Sequence, residues 1–306
     1  MTMREIQPTI NWLKRHGRPL DVVRYMYLFE NGKKHDVLAV FKAYQNEDGG
    51  FGHGLEPDCQ NPHSSPVQTM TAMEIVDELN LNRTHPVVKN MLAYLINEAP
   101  RDKDGMYHAT IPSNNDYPHA PWWTHDKKKL VRGYVPTATI AGFVYAHTLK
   151  DDKVHREMKD LIQKIIRHFQ KQPSNEKHDL KSLLDMVDYI PSFDAFTEAD
   201  HFLKLLLAQI KSTIDSKPKQ WVSSYVATPL SYYPTTEHYG YRQFEEVVEK
   251  HASLLLKYRN DEGIWDITWS WDEKTEAFLL AKEQWKSIIA LSHLKSLKAY
   301  GMISKE

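Results

Sequence analysis

Apolar residues return at three- and four-residue spacing along most of the chain, the period of a helix that buries one face. Val87, Val88, Met91, Leu92, Leu95 and Ile96 form one such stripe, and Val154, Met158, Leu161, Ile162, Ile165, Ile166 and Phe169 a second. Phe244, Val247, Val248, Leu254 and Leu255 form a third. No run alternates with period two, as a half-buried strand would, so the pattern predicts an all-α fold. Other segments, PVQTMTAMEIVDEL, VPTATIAGFVYAHTL and QWKSIIALSHLKSL, are small or apolar on nearly every side. Helices of that kind are expected to be enclosed by neighbours. Ser65 before Pro66 reads as an N-cap with proline at the first helical position, and Val135-Pro136-Thr137 opens the next enclosed helix in a similar way.

The connections between the two kinds of helix repeat. Tyr44-Gln45-Asn46-Glu47-Asp48-Gly49-Gly50-Phe51 matches Pro100-Arg101-Asp102-Lys103-Asp104-Gly105-Met106-Tyr107 and Tyr258-Arg259-Asn260-Asp261-Glu262-Gly263-Ile264-Trp265. Each copy has a long polar residue, an acid, a glycine and an aromatic in fixed order. The intervals fit a unit of about 53 residues, one helical hairpin, with room for about six. A hairpin exposes an apolar face that only its neighbours can cover. Six of them can close into an (α/α)6 toroid with inner and outer helix layers, a single domain over residues 1–306.

The element Gln45 to Phe51, with its copies at Arg101 and Arg259, resembles the QxxxGxW element of the terpenoid cyclase and protein prenyltransferase superfamily, whose members are α/α toroids. The resemblance implies that Gln45 ties helix ends, that the aromatic packs on a neighbour, and that the ring cavity takes an isoprenoid or other largely apolar substrate. The hallmark acids of that superfamily are missing, which would make this chain a divergent member. Asp185-Met186-Val187-Asp188 does not form DxDD, Asp151-Asp152 lacks the third acid of DDxxD, and Asp58-Cys59 lacks the spacing of a prenyltransferase zinc pair.

Charge narrows the partners. Lys+Arg 39 against Asp+Glu 40 gives a net charge of -1, so no global field recruits nucleic acid or an anionic membrane. The N-terminus lacks a signal-peptide core and no run of about 18 apolar residues could span a bilayer, which makes the cytoplasm the expected location. No nucleotide or flavin motif is present. The single cysteine, Cys59, excludes an internal disulfide and a multi-cysteine zinc site.

The long connections, roughly 46–64, 100–134, 216–240 and 259–282, hold most of the 8 Trp and a dense set of titratable groups. Long loops on a rigid scaffold commonly carry function. His53, Glu56, Asp58 and Asp116 are the candidate acids and bases. Glu56 and Asp58 also suit the capping of backbone amides in a tight turn. His119, Trp122, Trp123, Arg132, Tyr232, Trp269 and Trp271 are the candidate substrate contacts, while the neighbouring Lys127, Lys128 and Lys129 read as a solvated face. Asp58, Cys59 and His63 are of metal-ligand type, and neither zinc nor magnesium has a clear set of ligands beyond them. Three functions follow for a small-molecule site built from these loops. The resemblance implies an isoprenoid enzyme. Because α/α toroids also host glycoside hydrolases and polysaccharide lyases, a carboxylate pair across an open cleft points to a saccharide enzyme. The third is a non-catalytic ligand- or protein-binding toroid.

Overall fold

The computed structural model describes residues 5–303, and among them every regular element is helical. The chain divides into two compact units, Lys42–Thr213 and Met1–Phe41 with Ile214–Glu306.

The sequence-central unit, Lys42–Thr213, holds α4 (Pro66–Glu78), α5 (Pro86–Asn97), α6 (Thr137–His147), α7 (Lys153–Lys171), α8 (Lys177–Tyr189) and α9 (Ala199–Thr213). As the pattern predicts, enclosed helices alternate with amphipathic ones. Every residue of α6 from Thr137 to Val144 is buried, whereas α7 buries one stripe through Met158, Leu161, Ile162, Ile165, Ile166 and Phe169. Helix α6 lies at the middle, packed against α4, α5, α7 and α8. Gly142 lets α8 approach closely, because a Cβ there would stand 2.8 Å from the Met186 Cα. The Ser65 hydroxyl accepts from Gln68 N–H at 3.2 Å, the expected N-cap of α4.

The other unit holds α1 (Gln7–His16), α2 (Pro19–Phe29), α3 (Lys34–Phe41), a single turn α10 (Pro229–Tyr232), α11 (Glu245–Lys257) and α12 (Glu276–Ala299). Helix α12 packs on α1, α2 and α11. An ionic centre ties α2 to α12: the fully buried Asp21 accepts from Arg18 at 3.0 and 3.1 Å, stands 3.5 Å from Arg24, and accepts from the Ser287 hydroxyl at 2.9 Å. In α11 the stripe is carried partly by a polar residue, since His251 is buried beside Val248, Ala252 and Leu255. Its Nδ1 accepts from Leu230 N–H at 3.3 Å, and burial pushes its pKa down to about 4.

The three sequence copies fold as one turn. Asn46, Asp102 and Asn260 each donate their backbone N–H to the residue four further on, at 2.9, 2.9 and 2.8 Å, and accept from the glycine at 2.9, 3.1 and 2.8 Å. Gly49, Gly105 and Gly263 have φ of 91, 89 and 78°, a region that a Cβ resists. Gln45 Nε2 donates to the carbonyls of Gly49 at 2.9 Å and Val87 at 3.0 Å, so it ties the turn to α5. The turn aromatics are fixed alike: Phe51 N–H donates to Thr69 Oγ1 on α4 at 3.0 Å, and Tyr107 N–H to Thr137 Oγ1 on α6 at 2.9 Å.

These turns allow a paired test. A Cβ on Gly49 would meet the backbone oxygen of Asn90 at 2.2 Å, whereas one on Gly105 would meet only the Leu161 Cδ1 at 3.8 Å. Both alanine variants carry a left-handed penalty of about 1–2 kcal/mol. Gly49→Ala adds a backbone clash, so its urea midpoint is expected to fall clearly further than that of Gly105→Ala.

Candidate functional site

The first two long loops of the Lys42–Thr213 unit are stitched together. Gln60 N–H donates to Pro118 O at 3.0 Å and Ala120 N–H to Asp58 O at 2.7 Å. The buried Asn61 donates to Ser113 Oγ and Asn114 Oδ1, both at 2.9 Å. In the second and third turns the side chain after the long polar residue (Asp102, Asn260) caps its own turn. In the first turn Asn46 reaches outward instead, to Pro62 O at 3.0 Å, Ser64 Oγ at 2.9 Å and His53 Nε2 at 2.8 Å. A repeated position has thus been diverted to hold the unrepeated tail.

That stitching sets the places of the residues expected from sequence. Glu56 and Asp58 are buried, and both act on Cys59, whose thiol is pushed up to about 12 by burial and then by the Glu56 charge. A thiol held there is protonated and a poor nucleophile. His53 is exposed, and Asp116 lies exposed on the second loop. His63 is exposed against the Tyr117 ring, with centroids 5.8 Å apart, apart from the buried Asp58 and Cys59. Among the described residues no group of three or more His, Cys, Asp or Glu side chains comes together to hold a metal ion. His119 donates from Nδ1 to Tyr117 O at 2.7 Å and meets Thr124 Oγ1 at 3.1 Å. Arg132 clasps the carbonyls of Trp122 and Thr124, which makes it a brace of its own loop. Trp122 is exposed and Trp123 half-buried.

Tyr232, Trp269 and Trp271 belong to the other unit. Tyr232 is fully buried, and Trp271 is buried against Phe278 at 5.4 Å. Trp269 stands half-buried between Tyr225 at 5.6 Å and Trp285 at 5.2 Å. The two-residue spacing therefore does not present both indoles outward: one is in the core.

A convergence of titratable groups lies elsewhere in the Lys42–Thr213 unit, on α4 and α8. Tyr189 of α8 donates its hydroxyl to Asp77 Oδ2 of α4 at 2.5 Å. Its pKa is raised well above the ordinary tyrosine value, by burial first and then by the Asp77 charge, with Asp185 and Glu74 adding to it. The phenol therefore keeps its proton and acts as a donor. One turn from Asp185, Lys181 donates to that carboxylate. Burial alone would lower the lysine, but the charges of Asp185, Asp188 and Glu74 outweigh it and the pKa is raised, so the ammonium persists.

Helix α6 supplies the floor. Tyr189 meets the Phe143 ring edge-on at 5.4 Å, and Phe143 stacks on His147 at 4.0 Å. Beside them opens a cavity of about 450 Å³ lined by Asp77, Asn80, Asn82, Arg83 and His147 with Val76, Leu81 and Ala146. His147 donates from Nδ1 to Phe143 O at 2.8 Å, which leaves the lone pair on Nε2, and burial lowers its pKa. Side chains from α4 and α8 meet here because both helices pack on α6. Sequence reading missed the group because each member reads alone as an ordinary polar position of a helix. The signal it carried was four acids and a lysine on two helices otherwise enclosed by apolar neighbours.

No family model, curated protein or solved structure matches the chain. Nor is any helix among the described residues long and apolar enough to cross a membrane.

Proposed function

We propose that this chain is an acid–base enzyme acting on a hydroxyl-rich small substrate, of the saccharide-cleaving kind, built on helical hairpins in an α/α toroid. The observation that carries the reading is the Tyr189–Asp77 hydrogen bond beside the polar cavity. A carboxylate that accepts from a protonated phenol and faces a cavity is a suitable general base, and the phenol supplies a fixed donor to charge developing on a substrate oxygen. Asn80, Asn82, Arg83 and His147 offer the spread of donors and acceptors that a sugar ring needs. Lys181 balances part of the charge of Glu74, Asp185 and Asp188. The toroid is supported by the common turn and by the alternation of enclosed and amphipathic helices. An apolar isoprenoid has less support, because many of the loop aromatics are engaged in packing: Trp271 on Phe278, Trp265 bonded to Leu255 O at 2.9 Å, and Trp221 to Asp215 O at 2.8 Å.

The test is a substrate panel. Purified protein incubated with neutral and acidic oligosaccharides is expected to generate new reducing ends, with unsaturated products followed in parallel to separate elimination from hydrolysis. Diphosphate release from isoprenoid diphosphates, with no new reducing ends, would contradict the reading.

A further inference from the structure

A second cavity, of about 480 Å³, opens on α7, separate from the polar one and sharing no residue with it. Its walls are Leu161 and Ile165 of α7, Met106 of the second repeat turn, and Val131, Gly133 and Tyr134 of the loop before α6. Leu161, Ile165 and Tyr134 belong to the buried core, so the cavity reaches an apolar interior. Lys164 and His168, one helical turn apart on α7 and both exposed, stand at its edge with Asp104. The Tyr134 hydroxyl and His168 Nδ1 are 2.8 Å apart, which orients the imidazole.

We infer that this cavity binds a small amphipathic monocarboxylate, with its hydrocarbon between Leu161, Ile165 and Met106 and its carboxylate on Lys164 and His168. The size lies within the range of small-ligand pockets, about 300–1,000 Å³. An apolar chamber with a few charged groups at its edge selects a molecule of the same division. The sign is set by the surroundings. Helix α7 carries Lys153, Arg156, Lys159, Lys164, Arg167 and Lys171 against Glu157 and Asp160, and the exposed Lys127, Lys128 and Lys129 precede Val131, in a chain of net charge -1. Basic side chains outnumber acidic ones on this helix and the preceding loop, which favours an anion, with Asp104 at the edge and Asp179 behind Gly133 as the opposing charges. Asp104 restricts the ligand to a single negative charge by repelling a second.

Titration calorimetry with decanoate, decanol and decylamine, below their aggregation limits, tests the assignment. Decanoate is expected to bind saturably at one site, decanol more weakly and decylamine not at all. Lys164→Glu, at an exposed position that folding does not need, is expected to weaken decanoate by at least about tenfold. Val131→Trp, which fills the cavity, is expected to abolish binding while the circular dichroism spectrum is kept. Equal binding of decylamine, decanoate binding that survives Val131→Trp, absence of saturable heat, or association only with anionic phospholipid vesicles would each overturn the inference. None of these outcomes depends on whether the polar cavity cleaves saccharides.

Discussion

Asp21→Ala is expected to lower the stability of the chain by about 3–5 kcal/mol, the usual consequence of removing one partner from a buried ionic group. Asp21 is fully buried, and Arg18 and Arg24 are 7% and 4% exposed. The carboxylate is the negative charge that both guanidiniums face, and it also anchors Ser287 of α12. Truncation leaves two desolvated cations with their central counter-charge gone and opens the contact between α2 and α12. Asp21→Asn keeps an acceptor for Ser287 but not the charge, so it should recover only part of the loss. Urea unfolding followed by circular dichroism measures both; a change under about 1 kcal/mol for Asp21→Ala would show that the arginines find equal partners elsewhere.

The second large effect concerns turnover. With any saccharide the protein cleaves, Asp77→Asn is expected to reduce kcat by at least about 100-fold, the lower range for loss of a general base. Tyr189→Phe removes only the donor and should reduce kcat by about tenfold, with KM little changed if the phenol acts mainly on the transition state. Asp77 is exposed and Tyr189 half-buried, and each change is nearly isosteric, so the melting temperature should move little by comparison. A variant pair that lost stability and activity together would point to a merely structural hydrogen bond.

What could be read in advance was whatever the chain decides locally. The turn beginning at Gln45 is legible because its glycine must hold φ near 90°, and a glycine between an acid and an aromatic recurs where that angle recurs. The stripe of α7 is legible because a single apolar face leaves a period. Asp77 and Tyr189 are 112 residues apart and meet only because α4 and α8 both pack on α6, so no spacing in the sequence records their pairing. In the sequence Asp185 and Asp188 are legible only as a failed match to DxDD, although their position on α8 places both beside Lys181 and Asp185 beside Tyr189 as well. In the loops, residue type misleads about role. Arg132 and His119 are of binding type yet hold their own loop, and the two-residue spacing of Trp269 and Trp271 does not say which of them the core takes.

The competing locations for chemistry are the acids of the first loop and the acids of α4 and α8, and one comparison separates them. Cleavage rate per mole of folded protein should be measured side by side for Asp77→Asn, Glu56→Gln and Asp58→Asn on the same saccharide. The expected result is loss of about 100-fold or more for Asp77→Asn and less than about threefold for the two loop variants. A normal rate for Asp77→Asn with loss at Glu56 or Asp58 would contradict the account and return the site to the first loop.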